Sequence, residues 1–319
     1  MGEQGADGAR AGLVGPDVAG PEDVRLALRA HGYLADEGLA TVVFLSLALH
    51  RPLLLEGEAG VGKTEIAKVL SRWRGGELLR LQCYEGLDVS QAVYEWDYAR
   101  QLLHPRAAEA RAAGDKGEVL SVVEDELYSE RFLVRRPLLA AIASPATRPA
   151  PVLLVDEIDR ADDEFEAFLL EVLSDYAVTV PELGTFTASV PPIVVITSNR
   201  TRDVHDALKR RCLYHWVEHP SFDREVEIVT LRAPEVGPVL ARQVAAAVER
   251  LRSLGLYKPP GVAETIDWAE SMAALGCAEL DESTVERTLG AAVKYREDAE
   301  RVRAVGIAEL TRAAVARAG

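Results

Sequence analysis

Five short apolar runs punctuate the first two thirds of this chain, at residues 52–56, 77–83, 151–155, 192–198 and 213–218. Each is nearly continuous and too short for a helix, so each reads as a strand buried on both faces. Helical patterns lie before and between them. One starts near Pro21 with Glu22 and Asp23 in its first turn, one covers 37–50 and one covers 65–72. Strands that need cover on both faces and alternate with helices specify an α/β domain built on a parallel five-stranded sheet flanked by helices. After about residue 221 the strand signals stop, and helical patterns follow at 223–232, 238–254, 263–275 and 282–302. Three parts are therefore expected: a disordered, polar, glycine-rich segment over 1–20, an α/β domain over 21–220, and a small all-helical domain over 221–319. Within the α/β domain, residues 84–150 form an elaborated insertion. Residues 176–189 alternate around Glu182-Leu183-Gly184 and predict a hairpin.

The turn after the first run carries the most specific chemistry. Gly57-Glu58-Ala59-Gly60-Val61-Gly62-Lys63-Thr64 matches G-x-x-x-x-G-K-[ST] in full, with a strand before it and a helix beginning at Glu65 after it. Glycines let the backbone curl until successive N–H groups point at one phosphate, and the helix N-terminus adds partial positive charge. Lys63 is placed to reach the outer phosphates and the Thr64 hydroxyl to ligate magnesium. The competing reading, a chance glycine-rich turn, needs both flanks to be right by accident.

The third run, Val152-Leu153-Leu154-Val155, ends in Asp156-Glu157. A buried strand would deliver Asp156 to its C-terminal edge, where α/β sheets bind ligands. There Asp156 would hold magnesium and Glu157 would polarise an attacking water. The alternative is an acidic pair that merely favours a helix N-terminus. A strand lies between the two motifs, the order found where a Glu activates water directly. No Asn-Lys-x-Asp guanine-reading motif occurs, so ATP with Mg2+ is the expected cofactor pair.

Composition excludes some partners. The formal net charge is −15, with no long basic run, which weighs against nucleic acid and anionic membrane. No apolar stretch is long enough to span a bilayer. Cys83, Cys212 and Cys277 lie far apart, with neither metal-ligand spacing nor an even disulfide framework, which predicts a reducing, cytoplasmic setting.

With these motifs in hand, the chain resembles an AAA+ ATPase of the MoxR branch. Asp156-Glu157-Ile158-Asp159-Arg160-Ala161, then Phe168-Leu169-Leu170-Glu171-Val172-Leu173, resemble that branch's acidic strand and helix, and the predicted hairpin matches its insertion. Cys83-Tyr84-Glu85-Gly86-Leu87-Asp88, Tyr94-Glu95-Trp96-Asp97-Tyr98 and Arg210-Arg211-Cys212-Leu213-Tyr214-His215-Trp216 are similar to the accessory ATPases of molybdenum-containing carbon monoxide dehydrogenase. The resemblance implies that the helical domain is a lid. It also implies that Asn199, after the fourth run, is a sensor orienting water between Glu157 and the γ-phosphate; the plainer reading is an Asn capping a turn. It implies an arginine finger at Arg211, with Arg210 second, acting on a neighbour's ATP; the plainer reading is a solvated basic turn. A further sensor Arg expected at the start of a lid helix is missing between Pro259 and Glu286, so Lys258 or Arg287 would have to supply it.

Weaker signals remain. Tyr94, Trp96 and Tyr98 alternate and would share one strand face, as a packing cluster or a partner-contacting loop. His215 and His219 lack the helical context of a zinc pair. Phe165, Phe168, Leu169, Val172, Leu173 and Tyr176 form a core stripe. The acidic run 159–166 reads as a solvated helix start, and Glu124-Asp125-Glu126 as a solvated face or a docking patch.

These readings add up to a ring-forming, ATP-hydrolysing remodelling enzyme. The resemblance implies a homo-oligomer, a hexameric ring, working on a client metalloenzyme such as a molybdenum hydroxylase, with a von Willebrand factor A domain protein as partner. Two alternatives stay open: a slow, nucleotide-gated binding module holding a partner, and a DNA-remodelling AAA+ ATPase.

Overall fold

The computed structural model describes residues 18–111 and 127–319. Most of the segment expected to be disordered, and the acidic triplet at 124–126, lie outside the described residues. In chain order the elements are α1 (Pro21–Ala30), α2 (Glu37–Leu49), β1 (Leu53–Gly57), α3 (Lys63–Arg74), β2 (Leu78–Gln82), α4 (Val89–Val93), β3 (Tyr94–Trp96), α5 (Tyr98–Arg111), β4 (Leu133–Arg135), α6 (Pro137–Ile142), β5 (Val152–Asp156), α7 (Asp163–Asp175), β6 (Ala177–Val180), β7 (Gly184–Thr187), β8 (Ile193–Ser198), α8 (Asp206–Arg211) and β9 (Leu213–Val217). Helices alone follow: α9 (Phe222–Arg232), α10 (Pro238–Ser253), α11 (Val262–Ala274), α12 (Glu282–Ala292), α13 (Arg296–Val305) and α14 (Ile307–Ala318).

The backbone packs as two compact units. The first takes the described residues up to 24, together with 40–55 and 70–215; the second takes 25–39, 56–69 and 216–319. All five expected strands form one parallel sheet of order β2-β5-β8-β1-β9. β2 pairs with β5 so that Gln82 lies opposite Asp156, and β5 pairs with β8. β1, β5 and β8 are buried at every position, which is why their sequences run apolar without alternation. The predicted hairpin is β6–β7, with Ala177 opposite Thr187.

The first unit has its own core, in which Leu153, Val155, Val194 and Ile196 of the sheet join Phe165, Leu169, Val172 and Leu173 of α7. The core stripe expected on α7 is therefore seen. The second unit has a separate core centred on Leu240, Val244, Val248, Trp268, Met272, Val285 and Leu289.

Three expectations are corrected. The helix read over 282–302 is broken: Val293 and Tyr295 are extended, and the Lys294 ammonium donates to the last carbonyls of α12 at Gly290 and Ala291. Gly306, at φ 105°, then separates α13 from α14, a helix the periodicity did not predict. The aromatic trio is split too. Tyr94 and Trp96 pack in the core, with Trp96 edge-on to Tyr128 at 5.4 Å, whereas Tyr98 starts α5 and is 63% exposed. Finally, the acidic run is not fully solvated, since Asp159 and Glu166 are 3% and 1% exposed. Their charges are met by hydrogen bonds: Asp159 accepts from Asn199 and Thr201, and Glu166 from Arg202 and the His205 N–H.

Candidate functional site

Within the second unit, the octet curls between β1 and α3. Gly60 and Gly62 sit at φ 82° and 97°, the left-handed region that a side chain disfavours. Lys63 opens α3 with its side chain folded back, donating to the carbonyls of Gly57 and Glu58 at 2.7 and 2.6 Å. Glu58 Oε2 and His219 Nε2 are hydrogen-bonded at 3.0 Å. Glu65 pairs with Arg232 and Lys68, both at 3.1 Å. Tyr33 presents its ring to Gly62. Burial pushes the Tyr33 hydroxyl pKa up, with the Arg224 guanidinium pulling the other way.

The start of α11 meets the loop backbone to backbone. The Val262 N–H donates to Gly60 O at 2.8 Å, and a Cβ on Gly261 would stand 2.6 Å from the Gly60 Cα. Glu264, third residue of α11, turns back to accept the Gly261 N–H at 3.0 Å, and its carboxylate would be 3.3 Å from a Cβ on Gly60. A carboxylate thus stands where the resemblance calls for an arginine. Among the described residues neither substitute candidate bonds to the loop. The Lys258 N–H is held by Asp298 and its side chain is exposed, while Arg287 bonds within its own helix, to Ser283 and Thr284.

Within the first unit, the acidic pair stands at the end of β5. Asp156 is buried; its Oδ1 accepts from Thr197 Oγ1 at 2.6 Å and its Oδ2 from Arg80 Nε and Nη2 at 3.1 and 2.6 Å. Glu157 adopts a left-handed backbone, φ 57° and ψ 52°. That conformation is uncommon and costly for a residue with a side chain. It turns the chain so that the Glu157 N–H donates to Thr197 Oγ1 at 3.0 Å, and Thr197 thereby ties both acidic residues to β8. Glu157 Oε1 accepts from Asn199 Nδ2 at 3.0 Å; Oε2 accepts from Gln82 Nε2 at 3.1 Å and pairs with Arg160 Nε at 3.0 Å. So Asp156, Glu157 and Asn199 are brought together. Arg80, Gln82, Arg160 and Thr197 join them without having been singled out in the sequence. A residue two before the end of the strand paired with β5 is a signal that could have found Arg80, had strand order been known.

Two pKa shifts accompany this cluster. Burial would raise the Asp159 carboxyl, but the hydrogen bonds from Thr201 and Asn199 outweigh it and hold the group below its ordinary value. The Cys83 thiol is pushed up to about 12, first by burial and then by the negative charges of Asp156, Asp159, Glu157 and Glu166.

Arg210 and Arg211 end α8, also in the first unit. The Arg51 guanidinium staples the turn that follows, donating to the carbonyls of Arg210, Arg211 and Cys212. Arg211 Nη2 donates to Ser174 O at 2.8 Å. Arg210 is exposed, and its guanidinium makes no hydrogen bond or ion pair among the described residues. Among the described residues no group of three or more His, Cys, Asp and Glu residues could hold a metal.

A complete phosphate-loop octet on a strand–helix turn, a parallel sheet of this order and an acidic strand end together define a P-loop nucleoside triphosphatase of the AAA+ class. The family model described as AAA domain (dynein-related subfamily) matches residues 52–212, just over half of the chain, and the chain belongs to that family. Membership carries nucleotide binding, usually with Mg2+, ATP hydrolysis as the general activity, and a tendency to oligomerise. No curated protein matches the chain. No helix among the described residues is long and apolar enough to cross a membrane.

Proposed function

We propose that the protein is a ring-forming ATPase in which Gly57, Glu58, Ala59, Gly60, Val61, Gly62, Lys63, Thr64 and Glu65 form the loop that takes ATP. Loop N–H groups and the α3 N-terminus receive the phosphates, and the Lys63 ammonium, now on loop carbonyls, exchanges those partners for phosphate oxygens. Thr64, on the loop, and Asp156, at the end of β5, would each offer Mg2+ a hard oxygen donor of the kind that ion prefers, a hydroxyl and a buried carboxylate. When bound, the ion neutralises charge on the phosphates. Glu157 accepts the proton of the attacking water and Asn199 orients that water. Arg211 or Arg210 of a neighbouring subunit neutralises transition-state charge, an effect of about 10³–10⁵ in rate in other P-loop enzymes. Among the described residues Arg211 is engaged with Ser174 O and the exposed Arg210 guanidinium makes no bond, which favours Arg210 as the one to reach across an interface.

The observation that carries this reading is the hydrogen bond from Asn199 to Glu157 beside a buried Asp156 at the ends of neighbouring parallel strands. For the cellular role, the MoxR-like segments support remodelling of a client metalloenzyme, with a von Willebrand factor A domain protein as adaptor. A slow, nucleotide-gated binding module is the second reading, and Glu264 at Gly60 favours it, because a carboxylate there repels phosphate.

The test is ATP hydrolysis per subunit against protein concentration, for wild type, Arg210→Ala and Arg211→Ala. A rate that climbs with concentration, and collapses in one arginine variant, fits a shared site in a ring. A flat, slow rate insensitive to both substitutions sinks the ring reading in favour of the gated module.

A further inference from the structure

We propose that Arg80 is a resident countercharge on Asp156 that competes with a divalent cation, and so sets the Mg2+ concentration at which the site loads. This rests on the reading of Asp156 as a metal-holding carboxylate.

The geometry is asymmetric. The Asp156 side chain is 4% exposed and cannot leave, since Oδ1 is tied to Thr197 and the residue ends a strand buried at every position. The Arg80 side chain is 54% exposed and comes from β2, an edge strand of the sheet, so it can swing into water. Its guanidinium covers Oδ2 with two N–H groups, at 3.1 and 2.6 Å. The same Nη2 also reaches Gln82 Oε1 at 2.6 Å, which fixes the plane of the fork. Such a fork occupies the lone-pair directions that a cation, or a water of its hydration shell, needs at the same oxygen. Even after the contact opens, a guanidinium on this strand repels a dication nearby. Burying a carboxylate uncompensated is costly, so Arg80 has a use before the metal arrives and is superfluous afterwards.

The role differs from that of a merely structural ion pair in one respect. A structural pair would alter folding and leave metal dependence alone. A competing countercharge makes the site load at lower Mg2+ once it is removed. A lysine in its place keeps the charge and so preserves the wild-type requirement.

The experiment titrates MgCl2 into the full chain with a fluorescent, non-hydrolysable ATP analogue, for wild type, Arg80→Met, Arg80→Lys and Asp156→Asn, and repeats analogue binding in EDTA. Thermal unfolding of each variant separates misfolding from metal effects. The expected result is a half-saturating Mg2+ at least about fivefold lower in Arg80→Met, with Arg80→Lys close to wild type and EDTA binding alike in all three. Asp156→Asn should lose the Mg2+ enhancement; if it keeps it, the reading of Asp156 has failed. If Asp156→Asn behaves as expected but Arg80→Met has an unchanged or higher Mg2+ requirement, the countercharge proposal alone is overturned. If Arg80→Met does not fold, an Arg80→Lys curve shifted fivefold or more overturns it equally.

Discussion

Asn199 donates its side-chain amide to one carboxylate oxygen of Glu157 while its backbone N–H is held by Asp159. One residue thus joins Glu157 to the buried Asp159, which sets the amide at a defined position after β8. On the proposed role of Asn199 in orienting water and not the phosphates, Asn199→Ala is expected to lower kcat by about 10²-fold or more and leave nucleotide affinity nearly unchanged. Steady-state kinetics beside equilibrium nucleotide binding checks this. An equal loss in both would mean that the residue serves binding.

Asp159 titrates in its folded site below the ordinary carboxylate value. A depressed acid contributes stability that is present above its unfolded pKa, near about 4, and is lost as pH falls through the folded value. Asp159→Asn should therefore unfold at lower denaturant than wild type at pH 7, and the gap should narrow as pH drops below about 4. A gap that is independent of pH would assign the effect to shape instead of charge.

Gly261 has no room for a side chain, because its Cβ would meet the Gly60 backbone at 2.6 to 2.8 Å. Gly261→Ala must push α11 off the phosphate loop, at a cost of about 1–3 kcal/mol by analogy with overpacked cores. Thermal unfolding measures that cost, and nucleotide titration should show weakened binding. Wild-type values in both would mean that the contact yields freely.

Cys83 and Cys212 are buried, each with a thiol pKa of about 12, whereas Cys277 is half-buried. Burial is the main cause at both, and Arg51 and Arg211 partly offset it at Cys212. The thiolate is the reacting form. At pH 8 a thiol reagent should modify Cys277 in the native protein and the other two only on unfolding. Labelling of all three at one rate would contradict the buried placement.

Local pattern sufficed for much of this protein. The central strands β1, β5 and β8 were legible because a segment covered on both faces must be apolar throughout, and that constraint is written in consecutive residues; β2 and β9, at the sheet edges, are part-exposed and mix polar residues in, against the expectation of burial on both faces. The octet was legible because backbone curvature and phosphate contact demand particular residues at particular spacings, and Gly60 and Gly62 do take positive φ. The last helices were less so: the break at Val293–Tyr295 depends on an extended backbone that apolar periodicity does not encode.

What only the tertiary structure decided is who stands beside the acidic pair. Arg80 is 76 residues from Asp156 in sequence, and Gln82 is 75 from Glu157; they meet because β2 lies next to β5 in the sheet. The burial of Asp159 and Glu166, the Arg51 staple and the approach of Glu264 to Gly60 have the same origin. Spacing along a chain records the demands of one element on itself. The charge that faces another charge across a sheet is set by strand order and packing, which no local run of residues contains.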